Sequence, residues 1–205
     1  MDLAATVFSS GWASGVNAYA TVLVLGLMGR AGVGEVPEEL TREPILIGAG
    51  VMYAIEFVTD KIPFLDTTWD LIHTAVRPAI GSLLGIEFAD ADQAASTVDD
   101  VLAGGGAGAT SLASHAVKSS LRLGINTSPE PFTNIFTSLA EDVAVIGITA
   151  LAVEHPVEAA IIAAILLVIG VALVILIWSR IRRAWGRYKE YRRRRSQGPD
   201  PPAPS

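Results

Sequence analysis

Apolar residues fall along this chain in six long runs, each closed by glycine, proline or acidic positions. The first covers 1–28, the second 44–59, the third 66–85, the fourth 101–123, the fifth 132–153 and the sixth 157–178. A helix needs about 20 residues to cross a hydrocarbon core of about 30 Å. The sixth run is the clearest, with eighteen apolar or glycine residues unbroken over 161–178. The pattern predicts an all-α fold: a polytopic transmembrane helical bundle of six spans, or of five with 66–85 as a re-entrant segment. Residues 1–179 form the helical domain, and 180–205 a tail whose Pro-rich end is expected to be disordered.

Punctuation within the runs refines this picture. Ser9, Ser10 and Gly11 offer a break in the first run, which would leave a half-helix N-terminus inside the membrane. Asp66 or Thr67 is a suitable N-cap for the third, and Pro78 predicts a kink in it. Gly11 and Gly15, and again Gly81 and Gly85, stand four apart and mark small-residue faces for close packing, within one chain or between copies. The run VLAGGGAGATS lacks the lysine of a phosphate loop and reads as helix packing instead. The sequon NTS at 126–128 carries no weight beside Pro129. Pro63 and Pro156 suggest two halves offset by 93 residues, which would make an inverted three-plus-three repeat.

Composition agrees with a bilayer address. Of 205 residues 51% are hydrophobic and only 18% charged, and mean hydropathy is +0.45. There is no cysteine, which excludes disulfides, thiolate metal sites and cysteine nucleophiles. The opening MDLAATVF has no basic stretch of the kind that starts a cleavable signal peptide.

The net charge of −6 conceals a split. Nine of the fifteen Lys/Arg lie within 180–195, and residues 1–179 hold the other six against nineteen acids. Basic flanks mark cytoplasmic ends, so the C-terminus is expected inside. Six spans counted backward put the N-terminus inside too, with the acidic loops 30–43, 86–100 and 153–158 outside. The 118–131 loop would face inward and bring Lys118 and Arg122 with it. The expected location is the inner cell membrane, multi-pass. Arg180, Arg182, Arg183, Arg187 and Lys189 suit anionic lipid head groups, and nucleic-acid binding is not needed to explain them.

The candidate chemistry sits in EFVTDKIPFLDTTWDLIHTAVR, residues 56–77. Charged side chains at bilayer depth cost about 2.5–3.5 kcal/mol each and normally face the bundle interior. Glu56, Asp60, Asp66, Asp70, His73 and Arg77, with Asn17 from the first run and Glu141 and Asp142 from the fifth, therefore form the expected polar centre. Carboxylates outnumber the bases Arg77, Lys118 and Lys61, so some must bind protons or cations, which suits a transporter or channel for a small solute or cation. The bland counterpart is a set of ion pairs that hold the bundle together, Asp70 with Arg77 and Glu141 with Lys118. No cofactor is expected. A divalent cation on Glu56, Asp60, Asp70 and His73 is an alternative, although no ligand spacing singles it out. A lipid-directed enzyme is another. Ser114 and His115 diverge by about 100° on one helix, whereas Ser111 and His115 can meet but lack a third group. A non-catalytic membrane scaffold, and self-association through the glycine faces, complete the set.

At SGVNAYATVLVLGLMGR and at EFVTDKIPFLDTTWDLIHTAVRPAIGSLLG the chain resembles the DUF4126 domain family of bacterial integral membrane proteins, over about residues 8–160. The resemblance implies a membrane protein whose motifs include Asn17, Glu56, Asp60, Asp66, Trp69, Asp70, His73 and Arg77. The family's function is unassigned, so it implies no catalytic residue.

Overall fold

A computed structural model describes residues 2–92, 96–126 and 131–196. It is all-α among these residues. Six helices follow one another as α1 (Leu3–Arg30), α2 (Glu43–Thr59), α3 (Leu65–Ala91), α4 (Thr97–Ile125), α5 (Pro131–Glu154) and α6 (Pro156–Ser196), with one 3-10 turn at Glu38–Thr41. Three of them are long and apolar enough to cross a membrane: α1, α5 over 132–154, and α6 over 156–193. Of the others, α3 and α4 carry most of the buried charge, which makes them less apolar, whereas α2 is apolar but short. At 17 residues α2 is only about 25 Å long.

The third run is one unbroken helix of 27 residues that continues through Pro78. It is α1 that bends. Ser9 and Ser10 stay helical, and their hydroxyls find acceptors within the helix at the carbonyls of Ala5, Thr6 and Val7. The break falls at Asn17, whose backbone is extended at φ −152°, ψ 100°. The Asn17 side chain then caps the second arm, with Oδ1 accepting from the Ala20 N–H at 2.9 Å.

Contacts show that the two arms fold back alongside each other. The first arm runs parallel to α4: Val7 packs with Ala103 and Ala107, Gly11 faces Ala107, and Gly15 faces Ser111 and Ser114. The second returns along α3, with Tyr19 against His73 and Leu25 against Leu84 and Phe88. Leu3 joins that last cluster, so both ends of α1 lie at one end of the bundle and Asn17 is the tip of a helical hairpin. The remaining five helices alternate in direction. At the far end, Ile177 of α6 lies over Gly124 of α4. The two termini therefore leave from opposite ends, against the expectation that they share a side.

Facing glycines explain why α4 sits so close to its neighbours. Gly81 and Gly85 of α3 present bare backbone to Ser111, Ala107 and Ala103, as Gly11 and Gly15 do from α1. Both small-residue faces are thus taken up inside the chain. In the loop after α1, Gly32 and Gly34 adopt φ near +70°, which glycine accepts without strain. The acidic 86–100 loop is shorter than expected, since α3 reaches Ala91 and α4 starts at Thr97. Its residues 93–95, the turn residues 127–130 and the Pro-rich 197–205 lie outside the described residues. At the start of α4 the Ser96 N–H and hydroxyl both donate to Asp99, holding that carboxyl below the usual range. The halves share an element order, but α1 is bent and α4 is straight, so the inverted repeat gains no support here.

Candidate functional site

Each helix around the hairpin tip contributes polar side chains at three- and four-residue steps, which places them on one face. They are Glu56 on α2 and Asp60 just past its end; Asp66, Asp70, His73 and Arg77 on α3; His115, Lys118 and Arg122 on α4; and Asn134, Ser138, Glu141 and Asp142 on α5. All but Glu141 are buried.

Three cations organise the centre. The Arg77 guanidinium, wholly buried, lies 2.7 Å from Glu56 Oε1 and 3.0 Å from Asp70 Oδ1. Its Nη1 donates to His115 Nδ1 at 2.8 Å and to the Gly15 carbonyl at 3.3 Å. Lys118 donates to Asp60 Oδ2 at 2.6 Å and to the Val16 carbonyl at 2.9 Å, with Glu56 and Glu141 each 3.6 Å away. Arg122 holds Glu141, the Asp60 carbonyl and Asn134, and reaches Asp60 and Asp66 carboxylates at 3.4 Å. Lys61 stands to one side, over the Phe57 ring and 3.4 Å from Asp142.

The hairpin and the ion pairs need each other. Breaking α1 at Asn17 frees the last carbonyls of its first arm. Lys118 and Arg77 satisfy two of them, Val16 and Gly15, where the helix end also carries partial negative charge. A charge this deep, paired both to a carboxylate and to a helix terminus, is the arrangement that makes burial tolerable.

All nine expected site residues converge here. Asp66 differs in role. The α3 start is set by Phe64 at φ +70°, a left-handed conformation uncommon for a bulky residue, and the Asp66 carboxylate is spent on Asn126 and Arg122 rather than on capping alone. Lys118 and Arg122, expected in an inward-facing loop, are interior residues of α4, so they say nothing about sidedness. His115, Arg122 and Asn134 complete the centre beyond the expected set. The 115, 118, 122 spacing repeats the 70, 73, 77 spacing of α3 and would have signalled it.

Several alternatives lose their geometry. His73 has a partner at each nitrogen: Nδ1–H donates to the Trp69 carbonyl at 2.8 Å, and Nε2 accepts from Tyr19 at 2.9 Å. Among the described residues no three His, Asp or Glu side chains gather as metal ligands. His115 faces Arg77 and Thr74 rather than Ser111, and Ser114 donates to the Trp12 and Ser111 carbonyls, so neither serine weighed for it pairs with His115; the serine that meets it is Ser119, 3.3 Å from Nε2. The expected ion pairs Asp70–Arg77 and Glu141–Lys118 are both present.

The cluster is nevertheless unbalanced. It gathers six carboxylates (Glu56, Asp60, Asp66, Asp70, Glu141 and Asp142) around four bases. Glu56 Oε2, Asp60 Oδ1, Asp70 Oδ2, Asn17 Nδ2 and Arg77 Nε are buried with no hydrogen-bond partner among the described residues, and Asp70 Oδ1 has only its ion pair with Arg77. In a folded protein such groups are few and usually mark a place for water, an ion or a proton.

No curated protein and no solved structure matches this chain. A family model does match, over residues 4–176, and takes in the hairpin, the charge cluster and most of the apolar part of α6. The chain belongs to the family described as a domain of unknown function, DUF4126.

Proposed function

We propose that this chain is an inner-membrane protein that passes a small cation, or a solute coupled to one, through the centre at the α1 hairpin tip. The observation that carries this reading is the surplus of buried carboxylates with unpartnered oxygens beside a broken helix. Such carboxylates either protonate or attract a cation. Interrupted helices at mid-membrane are a recurring way to build ion and substrate sites in transporters. The apolar exterior supports the location: Phe136, Val143, Ile161, Ile165 and Val168 stand exposed on α5 and α6, a surface suited to lipid.

In this reading α2 to α6 cross the bilayer and α1 enters and returns. The C-terminus is cytoplasmic, because α6 carries its exposed basic residues Arg180, Arg182, Arg183, Arg187 and Lys189 beyond the apolar run, where they meet anionic head groups. The N-terminus then lies on the other side. The chain has no native cysteine, so single-cysteine variants report sidedness directly. Cysteines at Ala4 and Ala31 should label from the same side of the membrane, and one at Gly186 from the opposite side. Labelling of Ala4 and Gly186 from one side would rule out the hairpin arrangement.

Transport itself is tested in liposomes. Glu56→Gln and Asp70→Asn are each expected to abolish cation- or pH-driven flux while insertion and yield stay at wild-type levels. Each exchange keeps shape and removes one negative charge, and either carboxylate remains to hold Arg77 when the other is neutralised. Full flux in both variants would show that the centre is structural only.

A further inference from the structure

A groove of about 440 Å³ runs between α2, α3 and the second arm of α1. That is within the size range of small-molecule sites. Its walls are aliphatic, with Val22, Ile45, Ala49, Met52, Ile80 and Leu84 among them. Its floor is Tyr19, whose hydroxyl bonds His73, and Glu56 lies one helical turn beyond Met52 on α2. The groove thus ends against the charged centre. Its mouth is acidic. Glu39 and Glu87 line it, and Asp90 adds its charge at Glu87. Arg42, the base that acts on Glu87, is itself bound to Glu39 at 2.5 Å.

We propose that this groove admits an amphipathic organic cation, with its apolar body against the aliphatic walls and its positive centre at Glu87, the lining carboxylate that Arg42 does not hold. Charge complementarity selects this occupant. An acyl chain would fill the walls but gain nothing from the carboxylates, and an anion of the same shape would be repelled by them. The proposal deepens the transport reading, because the groove leads to the same centre, but the binding step stands apart from passage.

The test uses the full-length protein in detergent and two probes of nearly equal size and opposite charge, tetraphenylphosphonium and tetraphenylborate. Equilibrium binding of the phosphonium should be saturable and at least about tenfold tighter than that of the borate, the ratio that electrostatic selection predicts. Glu87→Gln should narrow the ratio. Gly48→Trp should remove binding without loss of thermal stability, because Gly48 lines the groove and a Cβ there meets nothing within 4 Å among the described residues. Equal affinity for both probes would mean that the groove is an ordinary lipid crevice and would overturn the proposal, as would unchanged binding by Gly48→Trp. Phosphonium binding without any wild-type flux overturns the transport reading alone, and flux without phosphonium binding overturns the groove alone.

Discussion

Replacing Arg122 with methionine should destabilise the protein by about 3–5 kcal/mol, the usual result of leaving buried charges without their partner. The guanidinium is fully buried and serves three helices at once, through Asp60 at the end of α2, Asp66 of α3, and Asn134 and Glu141 of α5. Methionine fills similar volume but offers no donor. The Asp60 carbonyl loses a short bond, and three carboxylates are left to Lys118 or to protonation. Arg122→Lys should recover only part of the loss. One ammonium cannot span Asn134, the Asp60 carbonyl and Glu141 as a planar fork does. The check is reversible unfolding in mixed micelles, with wild type, methionine and lysine forms side by side. A loss under about 1 kcal/mol, the range of surface pairs, would mean that the cluster is hydrated rather than buried.

Gly15→Ala should be nearly as damaging, at about 3 kcal/mol, the upper range for overpacking. An added Cβ would meet the Ser114 hydroxyl and the Ser111 carbonyl oxygen head-on and come within 2.8 Å of the Ser111 carbonyl carbon. Backbone cannot rotate aside, so α1 and α4 must separate. The separation draws Val16 away from Lys118 and Gly15 away from Arg77, which couples a steric change to the charge network. Gly105→Ala is the control, since a Cβ there meets nothing within 4 Å among the described residues. Thermal denaturation should place Gly105→Ala at wild type and Gly15→Ala well below it; equal midpoints would show that the arms are not held so closely.

Much of this was legible along the chain, and the misses share a cause. The apolar runs located all six helices because burial in lipid or in a bundle both demand them, and α6 could hardly be read otherwise. Asn17, Glu56 and Asp70 stood out because polar groups in apolar runs need an interior. The bend in α1 was harder. Serine and glycine near residue 10 weaken a helix on any local scale, yet those serines bond within it and Gly11 is there to admit Ala107. The true break at Asn17 is affordable only because Lys118 and Arg77, far away in sequence, receive the freed carbonyls. Counting bases near helix ends assigned Lys118 and Arg122 to a loop for the same reason: a sum of charges does not see the acids opposite.

The hairpin also constrains how the protein is made. Its first arm rests on residues near 103–118 and both arms on α5 near 145–152, all translated long after α1 leaves the ribosome. Until α4 arrives, the bend has Arg77 of α3 for the Gly15 carbonyl but lacks Lys118, the cation that takes the Val16 carbonyl. A chain arrested after α3 should therefore hold α1 loosely, exposed to proteolysis or to insertion as a straight span. Maturation then includes a late step in which the first segment synthesised is the last to settle, the reverse of the N-terminal-first order usual for independently folding units.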